Sequence, residues 1–372
     1  MLNKILNIVH PWLIKTLGRD RLEYLASNTL NELTQTLDPF IWTYDCKAKV
    51  VAIRQETADT KTFVLLPNQH FVTPAAGQHI ELSFLGANLL GIDNSAKRCY
   101  TLSEITDSTV SITVKLNPVG EVSPWLHDSV ELGQVFNISS PRGTFIHRDQ
   151  EKLLFICAGS GITPAFSMIN GLINKSSHTK IGLFYRTQTP ENTIFSQQLS
   201  SIESVYENVK IELSYSRLPV DIVTPSFIDQ LISAYPDIKQ RHVYLCVPEL
   251  FRNDVIQYLE SIDFDLDQLD IEQFTLPTLT SNNRQEPIVL EGDVSVTLKG
   301  QNIHFVIPAH DCDKTILEAA EVQGVVMEHG CRSGMCGSCK TNIVSGEVSG
   351  NQIGRSIYPC TAYPASNQIV LE

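Results

Sequence analysis

Cys331, Cys336, Cys339 and Cys360 form a C-x4-C-x2-C pattern with a distant fourth cysteine. No other feature restricts the fold as strongly, because three thiolates must converge on one centre within a single short loop. The spacing is the plant-type ligand set of a [2Fe–2S] cluster. The loop reads Cys331-Arg332-Ser333-Gly334-Met335-Cys336-Gly337-Ser338-Cys339. Gly334 and Gly337 let the backbone curl there, since glycine reaches positive φ at little cost. They also leave amides able to donate to cluster sulfurs. Structural zinc fits poorly, because zinc sites usually pair two short cysteine knuckles. Here three ligands crowd one loop and the fourth stands alone. Iron–sulfur chemistry is one-electron chemistry, so the pattern predicts a chain that moves electrons.

Length and charge narrow the class. A chain of 372 residues has room for two or three domains. A net charge of −13 argues against nucleic acid, whose binders carry basic patches. Outside the cluster set, Cys46, Cys99, Cys157, Cys246 and Cys312 are widely scattered. That is no disulfide framework and points to a reducing compartment. No run approaches the ~18 apolar residues of a transmembrane helix. The apolar stretch from Ile5 to Val9 is interrupted by Asn7 and lacks a small-residue cleavage site, so no signal peptide is read. The expected location is cytoplasmic.

The hydrophobic period changes along the chain. In residues 1–45, Leu2, Ile5, Leu6, Val9, Leu13 and Leu17 recur at helical spacing, which predicts a helical amino-terminal extension. Pro11 breaks or offsets this helix, and a second helix is expected over 19–37. Residues 46–149 turn to period two, with strands expected at 47–57, 61–67, 78–84, 98–103, 110–116 and 134–139. Six short strands without long helices predict a small antiparallel barrel. Residues 150–275 alternate apolar strands, at 153–157, 180–186, 210–216, 242–247 and 270–274, with helical stretches. That alternation predicts a parallel sheet with helices on its faces. The polar run 276–287 reads as a linker. The last module, 288–372, is expected to hold strands, a helix over 315–322 and the cluster loop. The fold class is therefore multidomain, part α/β and part β.

Two local motifs carry further chemistry. The strand at 153–157 runs into Gly159-Ser160-Gly161-Ile162-Thr163-Pro164 and then a helix. Amides at a helix amino terminus, with its dipole, favour a pyrophosphate. Pro164 is expected at the first helical position, where its missing N–H costs nothing. An ordinary tight strand-to-helix turn would read the same. On the strand at 98–103, alternation puts Arg98 and Tyr100 on one face and Cys99 and Thr101 on the other. An arginine can clamp phosphate, a tyrosine can stack on a flat ring and a hydroxyl can bond a ring nitrogen. An exposed arginine–tyrosine strand is the plain alternative.

The order of motifs decides between these readings. Arg98-x-Tyr100-Thr101 is followed by Gly120-Glu121-Val122-Ser123, then Pro141-Arg142-Gly143-Thr144-Phe145, then the glycine turn, then Cys246-Val247-Pro248 and Glu272-Gln273-Phe274. Over residues 46–372 this succession resembles the ferredoxin–NADP reductase superfamily. With the cysteine module it is similar to the single-chain flavin/iron–sulfur reductases, and within them to the electron-transfer partners of membrane fatty-acid desaturases. The resemblance implies an FAD-binding barrel over 46–149, an NAD(P)-binding domain over 150–275 and a plant-type ferredoxin-like, β-grasp domain over 288–372. It implies that Arg98, Tyr100, Thr101, Gly120, Val122 and Ser123 bind FAD. It implies that Gly159, Gly161 and Thr163 receive the nicotinamide dinucleotide, with Thr101, Cys246 and Phe274 at the hydride-transfer site. Ser216 and Arg217, with Arg186 on the preceding strand, are the expected 2′-phosphate ligands that favour NADPH over NADH. Val247 departs from the usual Cys-Gly-Pro and is expected to narrow the nicotinamide approach.

The implied activity takes a hydride from NAD(P)H onto FAD and passes single electrons through the cluster to a partner protein. Three readings of its use stand side by side. The acceptor is a membrane fatty-acid desaturase or a related oxygenase; or the chain is the reductase of a soluble Rieske-type or di-iron oxygenase; or it is a non-enzymatic carrier on a degenerate reductase body, for which Val247 speaks. Lys4, Lys15, Arg19, Arg21 and Trp12 suit the amino-terminal helix to peripheral membrane contact. They suit equally a helix that braces the barrel.

Overall fold

A computed structural model describes residues 40, 45–83, 97–120, 122–175, 178–217, 226–272, 274, 290, 292–301, 303–329, 334 and 337–372. The expected amino-terminal helices and the linker at 276–287 lie outside these residues, as do Cys331 and Cys336. Strands β1 (Lys47–Thr57), β2 (Thr60–Pro67), β3 (His79–Ser83), β4 (Lys97–Ile105), β5 (Val110–Lys115) and β6 (Val135–Ile138) close an antiparallel barrel in the order β1-β2-β5-β4-β3-β6. Val50, Phe63, Leu65, Ile80, Leu82 and Leu102 point inward and are almost fully buried. Each such side chain contributes about 1.5–3 kcal/mol.

Period-two patterning predicts no long helix in this half, and the short α1 (Val122–Ser129) lies between β5 and β6. It is two turns long and carries a proline, so its periodicity is too short to stand out. It forms because Val122, Trp125 and Leu126 complete the barrel core.

Strands β7 (Lys152–Ala158), β8 (Lys180–Thr187), β9 (Val209–Tyr215), β10 (His242–Cys246) and β11 (Leu269–Ile271) form an all-parallel sheet in the order β11-β10-β7-β8-β9. Helices α2 (Ile162–Asn174), α3 (Ser196–Val205), α4 (Phe227–Ala234) and α5 (Glu249–Ser261) connect and flank them. Separate apolar clusters form on its two faces, which explains the continuous apolar runs of the strands. The chain moves outward from β7 to β8 and later returns to β10 on the other side. Such a reversal opens a crevice at the carboxyl ends of the strands, where ligands bind. The last strand stops at Ile271 rather than at 274. The Glu272 amide still donates to the Leu245 carbonyl at 3.0 Å, and the chain then leaves the ladder at the carboxyl edge.

The final module is a six-stranded mixed sheet. Strands β12 (Val294–Leu298), β13 (Ile303–Ile307), β14 (Thr341–Ser345), β15 (Val348–Ile353), β16 (Ser356–Pro364) and β17 (Gln368–Leu371) lie in the order β13-β12-β17-β14-β16-β15. Helix α6 (Ile316–Val322) packs on β16. Its start is legible as Thr-x-x-Glu: the Glu318 amide donates to the Thr315 hydroxyl at 3.2 Å and the Thr315 amide to the Glu318 carboxylate at 3.0 Å. That reciprocal cap satisfies two donors the helix cannot bond itself.

Candidate functional site

Strand β4 sets Arg98, Tyr100 and Thr101 opposite Leu82, Ile80 and His79 of β3. Arg98 is exposed and donates to the Lys97 carbonyl at 2.8 Å. Tyr100 packs against the barrel core. Thr101 takes the other face and is buried, and its hydroxyl has no hydrogen-bond partner among the described residues. Leaving such a group unsatisfied costs about 1–3 kcal/mol, so the position fits a ligand that supplies the partner. At the far rim the Gly120 amide closes a turn onto the Asn117 carbonyl at 2.9 Å. Ser123 accepts from the Asn117 amide at 2.9 Å, so its hydroxyl braces this turn. Val122 is buried in the core.

The glycine turn follows β7. Gly159 holds φ +54°, and a Cβ there would meet nothing within 4 Å. Space for a ligand therefore lies above it. Gly161 is needed for the opposite reason: a Cβ would lie 2.1 Å from the Cys246 carbonyl oxygen. Thr163 is buried and donates to the Ser160 carbonyl at 3.1 Å. The Tyr185 hydroxyl donates to the Gly159 carbonyl at 3.0 Å. Pro164 is the third residue of α2, not the first. Its missing N–H is still harmless, because the whole first turn lacks intrahelical acceptors.

Between barrel and sheet lies an inner corner. The Cys246 thiol at the end of β10 is buried, and burial first, then the Glu272 charge, raises its pKa well above the ordinary value. Glu272 is 6% exposed, with Oε1 3.9 Å from His79 Nδ1. Its Oε2 is buried without a hydrogen-bond partner among the described residues. Burial pushes its carboxyl up from 4.5 to about 8, so it holds a proton at neutral pH. His79 stands directly across from Thr101. Phe274, two residues on, is 40% exposed. Val247 packs against the apolar cluster of α4 and α5.

The outer corner, at the ends of β8 and β9, is different. Arg186 donates to the Ser214 hydroxyl at 3.0 Å and stacks over Phe227 and Phe251 at 5.2 and 5.3 Å. Its burial lowers its pKa. Ser216 and Arg217 are exposed and held by backbone bonds to Thr187 and Gln188.

In the third module Cys339 and Cys360 are both 6% exposed, with their sulfurs 3.3 Å apart. The Gly334 amide donates to the Cys360 sulfur at 3.2 Å. Gly334 and Gly337 hold φ of 72° and 68°, as the curled loop requires. Two of the four expected ligands thus converge, with an amide on one sulfur, a donor set suited to a [2Fe–2S] cluster.

In the sequence Glu272 stands out only as part of a motif, and His79 not at all. A carboxylate at the end of an apolar strand is the one available signal. His79 gives none, because its neighbours Thr101 and Glu272 lie far off in sequence. Among the described residues no helix is long and apolar enough to cross a membrane.

Three family models match parts of the chain. Residues 47–147 match the family model of the oxidoreductase FAD-binding domain, 155–256 that of the oxidoreductase NAD-binding domain, and 296–365 that of the 2Fe-2S iron–sulfur cluster binding domain. The chain is 26% identical over 325 residues to an NADPH oxidoreductase of Mycobacterium tuberculosis, covering 85% of this chain and 80% of that protein. It is 26% identical over 324 residues to a glycine betaine monooxygenase reductase subunit of Pseudomonas aeruginosa, covering 81% and 85%. Phthalate dioxygenase reductase shares the fold, with a TM-score of 0.55 at 24% identity over 88% of this chain and 98% of that one.

Proposed function

Because the chain belongs to the ferredoxin–NADP reductase superfamily, as a single-chain flavin and [2Fe–2S] reductase, we propose that it feeds electrons from NAD(P)H to an oxygenase-type partner protein. It is an NAD(P)H oxidoreductase whose cofactors are FAD and a [2Fe–2S] cluster. The observation that carries the reading is a crevice where the three modules meet. Thr144 and Phe145 of the barrel, Asp270–Glu272 of the sheet, and Gly337 and Lys340 of the cluster module line one cavity of about 10 Å³, the room of a single water.

Bound flavin supplies the conversion between a hydride and single electrons. The residues around it have separable roles. Thr101 offers a buried hydroxyl to the flavin ring, Arg98 a cation to its phosphates, and Tyr100 a face beside it. Gly120, Val122 and Ser123 turn the backbone toward the pyrophosphate at the start of α1. Gly159, Gly161 and Thr163 would seat the nicotinamide dinucleotide, with Cys246 and Phe274 near the hydride-transfer site. Glu272 holds a proton in a buried corner. Arg217 and Ser216 recognise the 2′-phosphate of NADPH, with Arg186 as a caged support. Cys331, Cys336, Cys339 and Cys360 ligate the iron.

The finer reading of the partner is a membrane fatty-acid desaturase. Its support is the sequence resemblance and the basic, tryptophan-bearing residues 1–45. The relatives named as monooxygenase and dioxygenase reductases favour the rival, a soluble oxygenase. A chain starting near Cys46 separates them: desaturase-coupled turnover falls while reduction of a small artificial acceptor persists, or neither changes and the soluble partner is favoured. The activity itself is tested by a visible spectrum before and after NADPH. About two irons and two sulfides per chain are expected, and Cys336→Ser loses the cluster while flavin remains. Stoichiometric zinc without acid-labile sulfide overturns the reading.

A further inference from the structure

Strand β11 is the edge of the parallel sheet, pairing only with β10. An edge strand presents backbone groups with no ladder partner. Here the cluster module covers it at two points. Lys340 Nζ lies 3.1 Å from Asp270 Oδ1, and His242 Nε2 lies 2.9 Å from Asp270 Oδ2. The Tyr358 hydroxyl donates to the Ile271 carbonyl at 3.3 Å. All four side chains are largely buried. Lys340 directly follows Cys339, and Tyr358 precedes Cys360 by two residues on β16. Both described cluster cysteines are therefore tied, within one or two residues, to a strand whose next residue is Glu272. The barrel comes close at the same corner, where Gly337 and Thr144 line one cavity with Asp270 and Lys340.

We propose that Lys340 and Tyr358 are positioning residues, which latch the cluster loop onto β11 and so fix its separation from the flavin corner. The inference rests on the electron route proposed for this chain. The composition of 276–287 reads as a linker; the latch is what selects the docked arrangement of the module beyond it. The two ties are different in kind. The lysine pair is charged and oriented by His242, and its loss leaves Asp270 buried without its cation, a costly state. The tyrosine bond is neutral and satisfies one edge carbonyl, a smaller contribution.

The test uses the full-length holoprotein and three variants: Asp270→Asn, Lys340→Met and Tyr358→Phe. Asp270→Asn is distant from every cysteine in sequence, so it weakens docking without touching the cluster loop. Stopped-flow absorbance follows flavin reduction by NADPH and then cluster reduction. Hydrogen exchange of the segments around 266–272 and 337–345 reports docking independently of activity. The latch predicts unchanged flavin reduction and cluster reduction slowed roughly tenfold or more in Asp270→Asn, the effect of about 1.4 kcal/mol on an equilibrium. It predicts a smaller slowing in Tyr358→Phe and faster exchange on both sides of the interface. Wild-type rates and exchange in Asp270→Asn and Tyr358→Phe, with cluster content intact, overturn it. If NADPH fails to reduce the flavin in the unaltered protein, the electron route fails instead.

Discussion

The two corners of the parallel sheet face the same crevice but are built oppositely. The inner corner, at β10 and β11, is buried and holds two polar groups without a hydrogen-bond partner among the described residues: the Thr101 hydroxyl and Glu272 Oε2. The outer corner, at β8 and β9, keeps Ser216 and Arg217 in the open and sets Arg186 against two adjacent phenylalanines. A buried corner strengthens each electrostatic interaction within it, which suits proton and electron chemistry. An open corner costs a charged ligand little desolvation, which suits recognition. Changes at the inner corner should therefore alter rate and pH dependence, and changes at the outer corner should alter cofactor preference.

The largest effect is expected at Gly161. In Gly161→Ala the new methyl meets backbone, not a movable side chain, so the end of β10 must shift. Flavin reduction by NADPH should fall on the order of 100-fold, with flavin content retained, as read by stopped-flow bleaching of the flavin band. A fall of less than threefold would mean the corner is softer than its packing indicates.

Glu272→Gln tests the buried proton. Below pH 4.5 both folded and unfolded chains carry it; between 4.5 and about 8 only the folded chain does. Stability contributed by this group is therefore complete below 4.5 and lost as pH rises to about 8, by at most a few kcal/mol. The glutamine variant should flatten that slope in denaturant titrations of cofactor-depleted protein. A slope that persists in the glutamine variant removes Glu272 as its source.

Thr101→Val should act in two directions. Without flavin it should stabilise the protein by about 1 kcal/mol, since a buried hydroxyl without a partner is replaced by an isosteric methyl. With flavin it should weaken cofactor retention and slow reduction several-fold. Thermal melts of both forms check this, and destabilisation without flavin would show that the hydroxyl has a partner.

The smallest effect belongs to the outer corner. Arg217→Ala should raise KM for NADPH several-fold and leave KM for NADH nearly unchanged, because an exposed charge pair contributes only about 0.2–1 kcal/mol when screened. Equal changes for both nucleotides would remove the distinction between the corners.

Local features are legible in the chain itself. The cysteine spacing, the glycine turn, the changes of period and the Thr-x-x-Glu cap each act over a few neighbouring residues, so residue order carries them directly. Helix α1 is not legible there, because eight residues with a proline give no period and only burial of Trp125 and Leu126 makes them helical. Glu272 escapes assignment because its raised pKa comes from burial among groups contributed by three distant strands.

Residue order alone specifies the class of chemistry: an iron–sulfur ligand set, a nucleotide turn and a flavin-type strand, in one succession. Where these meet is a property of the packed molecule. Lys340 and Asp270 lie 70 residues apart, and Tyr358 and Ile271 lie 87 apart. Residue type and spacing set what a loop can bind. Which loops share a corner depends on the burial and charge pairing of whole modules, and those exist only once the chain is folded.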